Sequence, residues 1–202
     1  MLILSFLKPY YYNDNIHNFG NIGVGGLLHA SVSPLFTKFI DFKAYNSVNI
    51  REQIYENLEG SVLDLCCGTG YSTKPNNLGI DTSNEMLNFA NIYNPDSEYR
   101  FGNAETFGNP NEYDYITCMF SFHEIPVYAH KLVIANAKRV AKKGIVIVDI
   151  ATNYIPKKVM LTGEPYLLDY LKTIDDTMKK HSFTKQVIVP SHAEMWTYNF
   201  NL

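Results

Sequence analysis

The chain has 202 residues, of which 46% are hydrophobic, and its formal net charge is -3 at pH 7. This length and composition allow one substantial core, so we expect one globular domain with an appended segment. The charge gives no general attraction to nucleic-acid phosphates. The apolar run 1–7 is too short for a signal peptide, no later run is long enough to span a membrane, and three cysteines build no disulfide framework. These features predict a soluble, cytoplasmic protein without nucleic-acid partners.

The first part of the chain differs from the rest. Residues 9–34 contain several glycines and the Tyr10–Tyr12 cluster, and we expect this segment to be irregular. Residues 1–46 are therefore interpreted as an N-terminal lid or substrate segment, and residues 47–202 as the main domain. A helix is predicted over residues 47–58, because its apolar residues fall on one side.

From residue 62 onward, short apolar runs alternate with helical patterns, which is typical of βα units around a parallel sheet. Thr82 and Glu85 suggest a capping box after the second strand, Pro126 fits the first turn of a later helix, and residues 164–180 fit another. The runs 184–189 and 194–200 predict an antiparallel hairpin at the sheet edge. The five preceding strands are predicted at residues 62–66, 78–81, 98–102, 114–119 and 145–150.

The first predicted strand runs into the turn Gly68-Thr69-Gly70. An apolar strand that ends in Gly-x-Gly suits a backbone that approaches a bound nucleoside closely, although an ordinary βα turn has the same pattern. The second strand ends at Asp81, at the same edge of the sheet, where a carboxylate can accept both hydroxyls of a ribose. An N-cap of the next helix is the alternative role for Asp81.

Three kinds of nucleotide site compete for this turn. A P-loop requires Gly-Lys-Ser/Thr, whereas Tyr71-Ser72-Thr73 follows Gly70, so that interpretation fails. A dinucleotide site is disfavoured, because Thr73 stands where a third glycine is expected and Asp81 comes too early. A nucleoside without pyrophosphate, such as S-adenosylmethionine, fits best.

Five motifs in order make the pattern more specific: residues 63–70, 79–87, 102–105, 113–116 and 122–124. Over about residues 48–150 the chain resembles class I S-adenosylmethionine-dependent methyltransferases of the small-molecule, methyltransferase type 11-like kind. The resemblance implies an α/β, Rossmann-like fold with a mostly parallel seven-stranded sheet and a C-terminal antiparallel hairpin. It also implies S-adenosyl-L-methionine as cofactor.

The resemblance implies roles for individual residues of this sequence. It implies that Asp64 and the glycine turn face the methionine part of the cofactor, that Met86 and Asn103 lie near the adenine, and that Met119 and Phe120 border the sulfonium. The family normally has a full helix after the glycine turn, but only eight residues, Tyr71 to Leu78, separate Gly70 from Gly79. The cofactor-binding residues expected in all are Asp64, Cys66, Gly68, Thr69, Gly70, Asp81, Thr82, Met86, Asn103, Ala104, Met119 and Phe120.

His123 follows the fourth predicted strand and is the candidate catalytic residue, since an imidazole there could take a proton from an acceptor. A buried, hydrogen-bonded histidine is an equally weighted alternative. Most other polar or aromatic candidates are interpreted as packing residues; they are Tyr11, Tyr12, His17, His29, His192 and Trp196.

The sequence disfavours two classes of methyl acceptor. Arsenic methylation needs several converging thiolates, but the three cysteines lie in the turn and the fourth strand. Amino methylation of nucleic-acid bases in related enzymes uses an Asn/Asp-Pro-Pro-Tyr tetrad after the fourth strand, and no such tetrad follows it here. No structural-zinc spacing occurs, and no metal ligand is predicted. We expect methyl transfer to a small, neutral or hydrophobic acceptor. The alternatives are a non-catalytic protein that binds S-adenosylmethionine or S-adenosylhomocysteine, or a subunit of a partner enzyme, and, more distantly, an oxidoreductase.

Overall fold

The computed structural model describes residues 8–200. Its seven-stranded sheet has the order β3-β2-β1-β4-β5-β7-β6, and β7 runs opposite to the other six strands. The predicted fold class, with its C-terminal hairpin, is confirmed. The strands are β1 (Val62–Leu65), β2 (Leu78–Asp81), β3 (Glu98–Phe101), β4 (Tyr113–Met119), β5 (Ala141–Ile150), β6 (Thr184–Val189) and β7 (Ala193–Asn199).

Six α-helices and three short 3-10 helices join these strands within the described residues. The 3-10 helices span Tyr10–Tyr12, Ile16–Asn18 and Phe122–Glu124. No helix among residues 8–200 has the length and apolar character needed to cross a membrane. The α-helices are α1 (Gly23–Ala44), α2 (Ile50–Tyr55), α3 (Asn84–Tyr93), α4 (Val127–Val140), α5 (Lys158–Gly163) and α6 (Leu167–Lys180).

Both faces of the central strands are covered by apolar side chains. In β5, Ile145 and Ile147 belong to the large core beneath α4 and α6, whereas Val146 and Val148 belong to a smaller cluster with Leu58 on the opposite face. Successive side chains of a strand point to opposite faces, so an unbroken apolar run is what a doubly covered strand requires. Burying each of these side chains contributes about 1.5–3 kcal/mol.

The structure corrects three sequence-based expectations. Residues 23–34 are helical, as the first half of α1, and not irregular. The N-cap of α3 is Ser83, whose hydroxyl accepts the Met86 N–H at 3.1 Å, and not Thr82. The helix predicted over residues 164–180 begins only at Leu167, after the separate helix α5.

The expected loss of the helix between β1 and β2 is confirmed, since residues 66–77 form only turns. The short connection is held by polar contacts instead of a packed helix. The carboxylate of Asp64, in the middle of β1, accepts hydrogen bonds from Ser72 (2.7 Å) and Thr73 (2.8 Å) in the connection, and from Thr117 (2.8 Å) in β4. Asp64 therefore ties the connection to two central strands.

Burial of Asp64 is complete, and it raises the pKa of this carboxyl to about 6, although the three hydroxyl donors oppose that shift. A buried carboxylate without donors would be far more costly. The three hydroxyl donors thus offset much of the free-energy cost of burying Asp64 inside the sheet.

We predict that Asp64→Ala lowers the free energy of unfolding by about 3 kcal/mol, because it leaves three buried hydroxyls without their acceptor at about 1 kcal/mol each. Asp64→Asn should cost less than half as much, since an amide still pairs with hydroxyls. Urea denaturation measures both, with the exposed Asp176→Ala as control. Equal losses in the two Asp64 variants would contradict the assignment.

Candidate functional site

The carboxyl ends of β1, β2 and β4 open onto a cavity of about 1290 Å³. At the ends of β1 and β4, three residues that line it have left-handed backbone conformations: Cys66 (φ 56°), Gly68 (φ 52°) and Phe120 (φ 58°). Ligand sites in open α/β sheets lie at this edge. The volume exceeds the roughly 300–1,000 Å³ of a typical single-ligand pocket, so the cavity has room for two small ligands.

Most of the site residues predicted from sequence line this one cavity, although Asp64 and Gly70 do not line it. Asp64 lies behind the turn with its three hydroxyl partners, and Gly70 faces Tyr99. The predicted residues that line the cavity are Cys66, Gly68, Thr69, Asp81, Thr82, Met86, Asn103, Ala104, Met119, Phe120 and His123.

The two glycines of the turn differ in their surroundings. A Cβ on Gly68 would meet nothing within 4 Å, so this backbone borders open space. A Cβ on Gly70 (φ 84°) would lie 2.4 Å from the Tyr99 hydroxyl oxygen. Gly68 therefore leaves room for a ligand, whereas Gly70 leaves room for a tyrosine of β3.

Asp81 joins the glycine turn to the start of α3. Its carboxylate accepts the Gly68 N–H and the Ser83 N–H, both at 2.9 Å. Burial raises the pKa of Asp81 to about 6, against the effect of these donors. Each carboxylate oxygen keeps a further lone pair for a ligand hydroxyl.

The N-terminal segment covers the side of the turn that the absent helix leaves open. Ser33 in α1 hydrogen-bonds to Thr69 at 3.1 Å, and the Tyr12 hydroxyl donates to the Thr82 carbonyl at 3.0 Å. The N–H of Gly23, the first residue of α1, donates to Glu85 in α3 at 2.6 Å. These contacts place α1 across the glycine turn.

His123 lies in the 3-10 helix after β4, against a buried aspartate of β5. Its Nδ1 is 2.5 Å from Asp149 Oδ1, while Asp149 Oδ2 accepts the backbone N–H groups of Phe122 (2.7 Å) and His123 (3.2 Å). This arrangement fixes the ring and directs Nε2 toward Glu164 (3.7 Å) and Glu124 (3.9 Å). His123 is thus buried and hydrogen-bonded and also lines the cavity, while its catalytic role stays a prediction.

Burial alone would lower the pKa of His123, but the charge and hydrogen bond of Asp149, aided by Glu164 and Glu124, raise it to about 10. The same balance applies to His17. Burial opposes its protonation, while Glu124 and Glu164 raise its pKa above the ordinary value.

His17, Glu124 and Glu164 form a second polar cluster beside His123. His17 Nε2 is 2.7 Å from Glu124 Oε1, and His17 Nδ1 is 3.1 Å from Glu164 Oε1. A Cβ on Gly163 would lie 3.1 Å from His17 Cα, so glycine permits this close approach of α5 to the N-terminal segment. Sequence analysis missed the cluster, because its members are far apart in the chain and no local pattern links them.

Residues 62–144 match a family model described as a methyltransferase domain. No curated protein sequence matches this chain. Several solved structures share its fold. One is the magnesium protoporphyrin IX methyltransferase from Synechocystis PCC 6803 with bound SAH (S-adenosylhomocysteine), at 16% identity and TM-score 0.53, covering 77% of this chain and 81% of the other.

A second is a SAM-dependent methyltransferase from Thermotoga maritima, described as a possible histamine N-methyltransferase, with 14% identity and TM-score 0.59 over 85% of this chain and 98% of the other. A third is the DhpI-SAH complex, with 15% identity and TM-score 0.60 over 85% and 91%. At these identities the likeness shows a shared fold.

We predict that Gly70→Ala lowers the free energy of unfolding by about 1–3 kcal/mol more than Gly68→Ala does. In both variants the alanine has a left-handed backbone conformation, which costs about 1–2 kcal/mol. Only the alanine at position 70 also collides with Tyr99. Thermal and urea unfolding of the two variants give the comparison. In a Tyr99→Ala background the difference should vanish, and its persistence there would refute the steric cause.

Proposed function

We propose that this class I S-adenosylmethionine-dependent methyltransferase moves the sulfonium methyl group to a small, neutral or hydrophobic acceptor held beside His123. The observation that carries the proposal is one cavity lined by both the glycine turn and the His123–Asp149 pair. The methyltransferase-domain match over residues 62–144 supports S-adenosylmethionine as the methyl donor. The apolar side chains that also line the cavity, among them Phe36, Ile40 and Met160, support a neutral or hydrophobic acceptor.

The cofactor is proposed to lie along the carboxyl edge of β1, β2 and β4. Its ribose hydroxyls would donate to Asp81, its amino-acid tail would lie against the open backbone of Gly68, and its adenine would approach Met86 and Asn103. The Asn103 amide oxygen already accepts the Glu105 N–H at 2.8 Å, which orients the side chain. We assign Asp64 and Gly70 the role of supporting the turn from behind.

The sulfonium is proposed to lie between Met119 and Phe120. Thioether and aromatic groups hold a cation by dispersion and quadrupole forces without neutralising it, so the methyl group stays electrophilic. The Arg51 guanidinium lies 4.6 Å from the centre of the Phe120 ring, and Tyr45 stacks on that ring at 6.2 Å, which fixes its plane. Of the predicted lid, residues 1–46, the described part 8–46 would cover both ligands, and residues 1–7 lie outside the described residues.

In the transfer, the S–CH₃ bond breaks and its electron pair stays on sulfur, while an acceptor lone pair forms the new bond to carbon. Where the acceptor carries a proton, Nε2 of His123 receives it in the neutral form of the ring, which is the minor form at neutral pH because the pKa is raised to about 10. Asp149 acts as a positioning residue, because it touches the ring and not the acceptor. Alignment and exclusion of water supply much of the remaining rate enhancement.

We predict that His123→Asn lowers the rate of methyl transfer by about 10²–10⁴-fold while S-adenosylmethionine still binds. The measurement counts labelled methyl incorporated into a panel of small hydroxyl, thiol, amine and carbon acids, with calorimetry for cofactor binding. His181→Asn, at the end of α6, is the matched control. Full transfer activity in His123→Asn would reject the assigned role, and binding without transfer to any compound by the unaltered chain would reject the acceptor class.

The raised pKa of Asp81 predicts a pH-dependent affinity for the cofactor. Ribose hydroxyls bind the ionised carboxylate, which is lost as pH falls through about 6, so affinity for S-adenosylmethionine should drop toward tenfold per pH unit below that value. Calorimetry between pH 7.5 and 5 tests this. Asp81→Asn should bind more weakly at pH 7.5 and without that slope, and an unchanged slope would mean that another group titrates.

A further inference from the structure

The structure shows a second chemical feature at the acceptor end of the cavity that methyl transfer alone does not require. We propose that His17, Glu124 and Glu164 bind one divalent transition-metal ion. The ligand atoms of these three side chains all lie within 4.8 Å of one another. Atoms bound to one ion at about 2.0–2.2 Å lie at most about 4.4 Å apart, so small side-chain rotations suffice.

The first supporting observation is an unpaired acceptor. Glu164 is 7% exposed, and its Oε2 has no hydrogen-bond partner among the described residues. His123 Nε2 lies 3.7 Å from this Oε2 atom, which is beyond hydrogen-bonding distance. A buried carboxylate oxygen without a donor is costly, and a bound cation removes that cost.

The second observation is the excess of negative charge. Three carboxylates, those of Glu124, Glu164 and Asp149, contact His17 and His123. The net charge of these five side chains stays negative even when both rings are protonated. An ion in place of the proton between His17 Nε2 and Glu124 Oε1 would keep both as partners. The ion would also bind Glu164 Oε2, the oxygen without a hydrogen-bond partner among the described residues.

The donor set decides which ion fits. One imidazole with two carboxylates suits zinc, manganese, cobalt or iron, whereas magnesium prefers oxygen ligands and retains its waters. Three protein ligands leave positions open toward the cavity, beside His123. On the proposed function, those positions would bind an oxygen or nitrogen atom of the acceptor and orient it toward the methyl group.

The test is calorimetric titration of the metal-free full-length chain with Zn²⁺ and, separately, Mn²⁺, without cofactor or acceptor. We expect one equivalent to bind, and we expect Glu164→Gln and His17→Asn each to weaken binding at least about 100-fold, beyond the loss typical of an outer-shell partner. Bound ion should raise the melting temperature of the unaltered chain and not that of either variant.

Matched controls lie outside the cluster. Glu98→Gln on β3 and His181→Asn after α6 should bind the ions as the unaltered chain does. Cys66→Ser should also bind normally, which separates this site from the thiols of the turn, and Mg²⁺ should not compete. Absence of one-equivalent binding, or unchanged affinity in Glu164→Gln, would overturn the proposal. Because this readout needs no methyl transfer, its failure would leave the proposed enzymatic function standing.

Discussion

Carboxylates of the central strands need hydrogen-bond donors, and much of the structure follows from the donors that they have. The buried Asp64 accepts from three hydroxyls, the partly buried Asp81 from two backbone N–H groups, and the buried Asp149 from backbone N–H groups and a histidine. Asp64 joins β1 to its own following connection and to β4, whereas Asp81 and Asp149 each join their strand to the segment that follows a neighbouring strand. The acids therefore fix the turn, the start of α3 and the orientation of His123 with the same interactions that make their burial tolerable.

The sheet was predictable because each strand carries its own signal. Mostly apolar runs in β1 and in the second half of β5 predict strands covered on both faces, and the short connection after Gly70 follows from a count of residues. Asp81 and His123 were predictable for the same local reason, since Asp81 ends β2, His123 lies shortly after β4, and parallel strands bring their carboxyl ends together. The position of the cavity thus follows from sequence order.

Other features depend on contacts that no local pattern records. Helix α1 begins with three glycines in four residues and contains Pro34, which argues against a helix by propensity, yet Glu85 satisfies its first N–H and α3 packs beside it. The choice between Thr82 and Ser83 as N-cap is a shift of one residue between two adjacent hydroxyls. His17 meets Glu164 only because α5 and the N-terminal segment pack together at Gly163.

The position of helix α1 also affects how the binding properties of this protein can change by substitution. Ser33 contacts the glycine turn, while Phe36 and Ile40, within two turns of the same helix, line the cavity. One helix thus touches the turn and also supplies apolar side chains to the cavity. Under the proposed function, a substitution in α1 that reshapes the acceptor chamber would therefore also alter cofactor affinity. Helix α5 lines the same cavity through Val159, Met160 and Gly163, and changes there would alter acceptor preference from a second element.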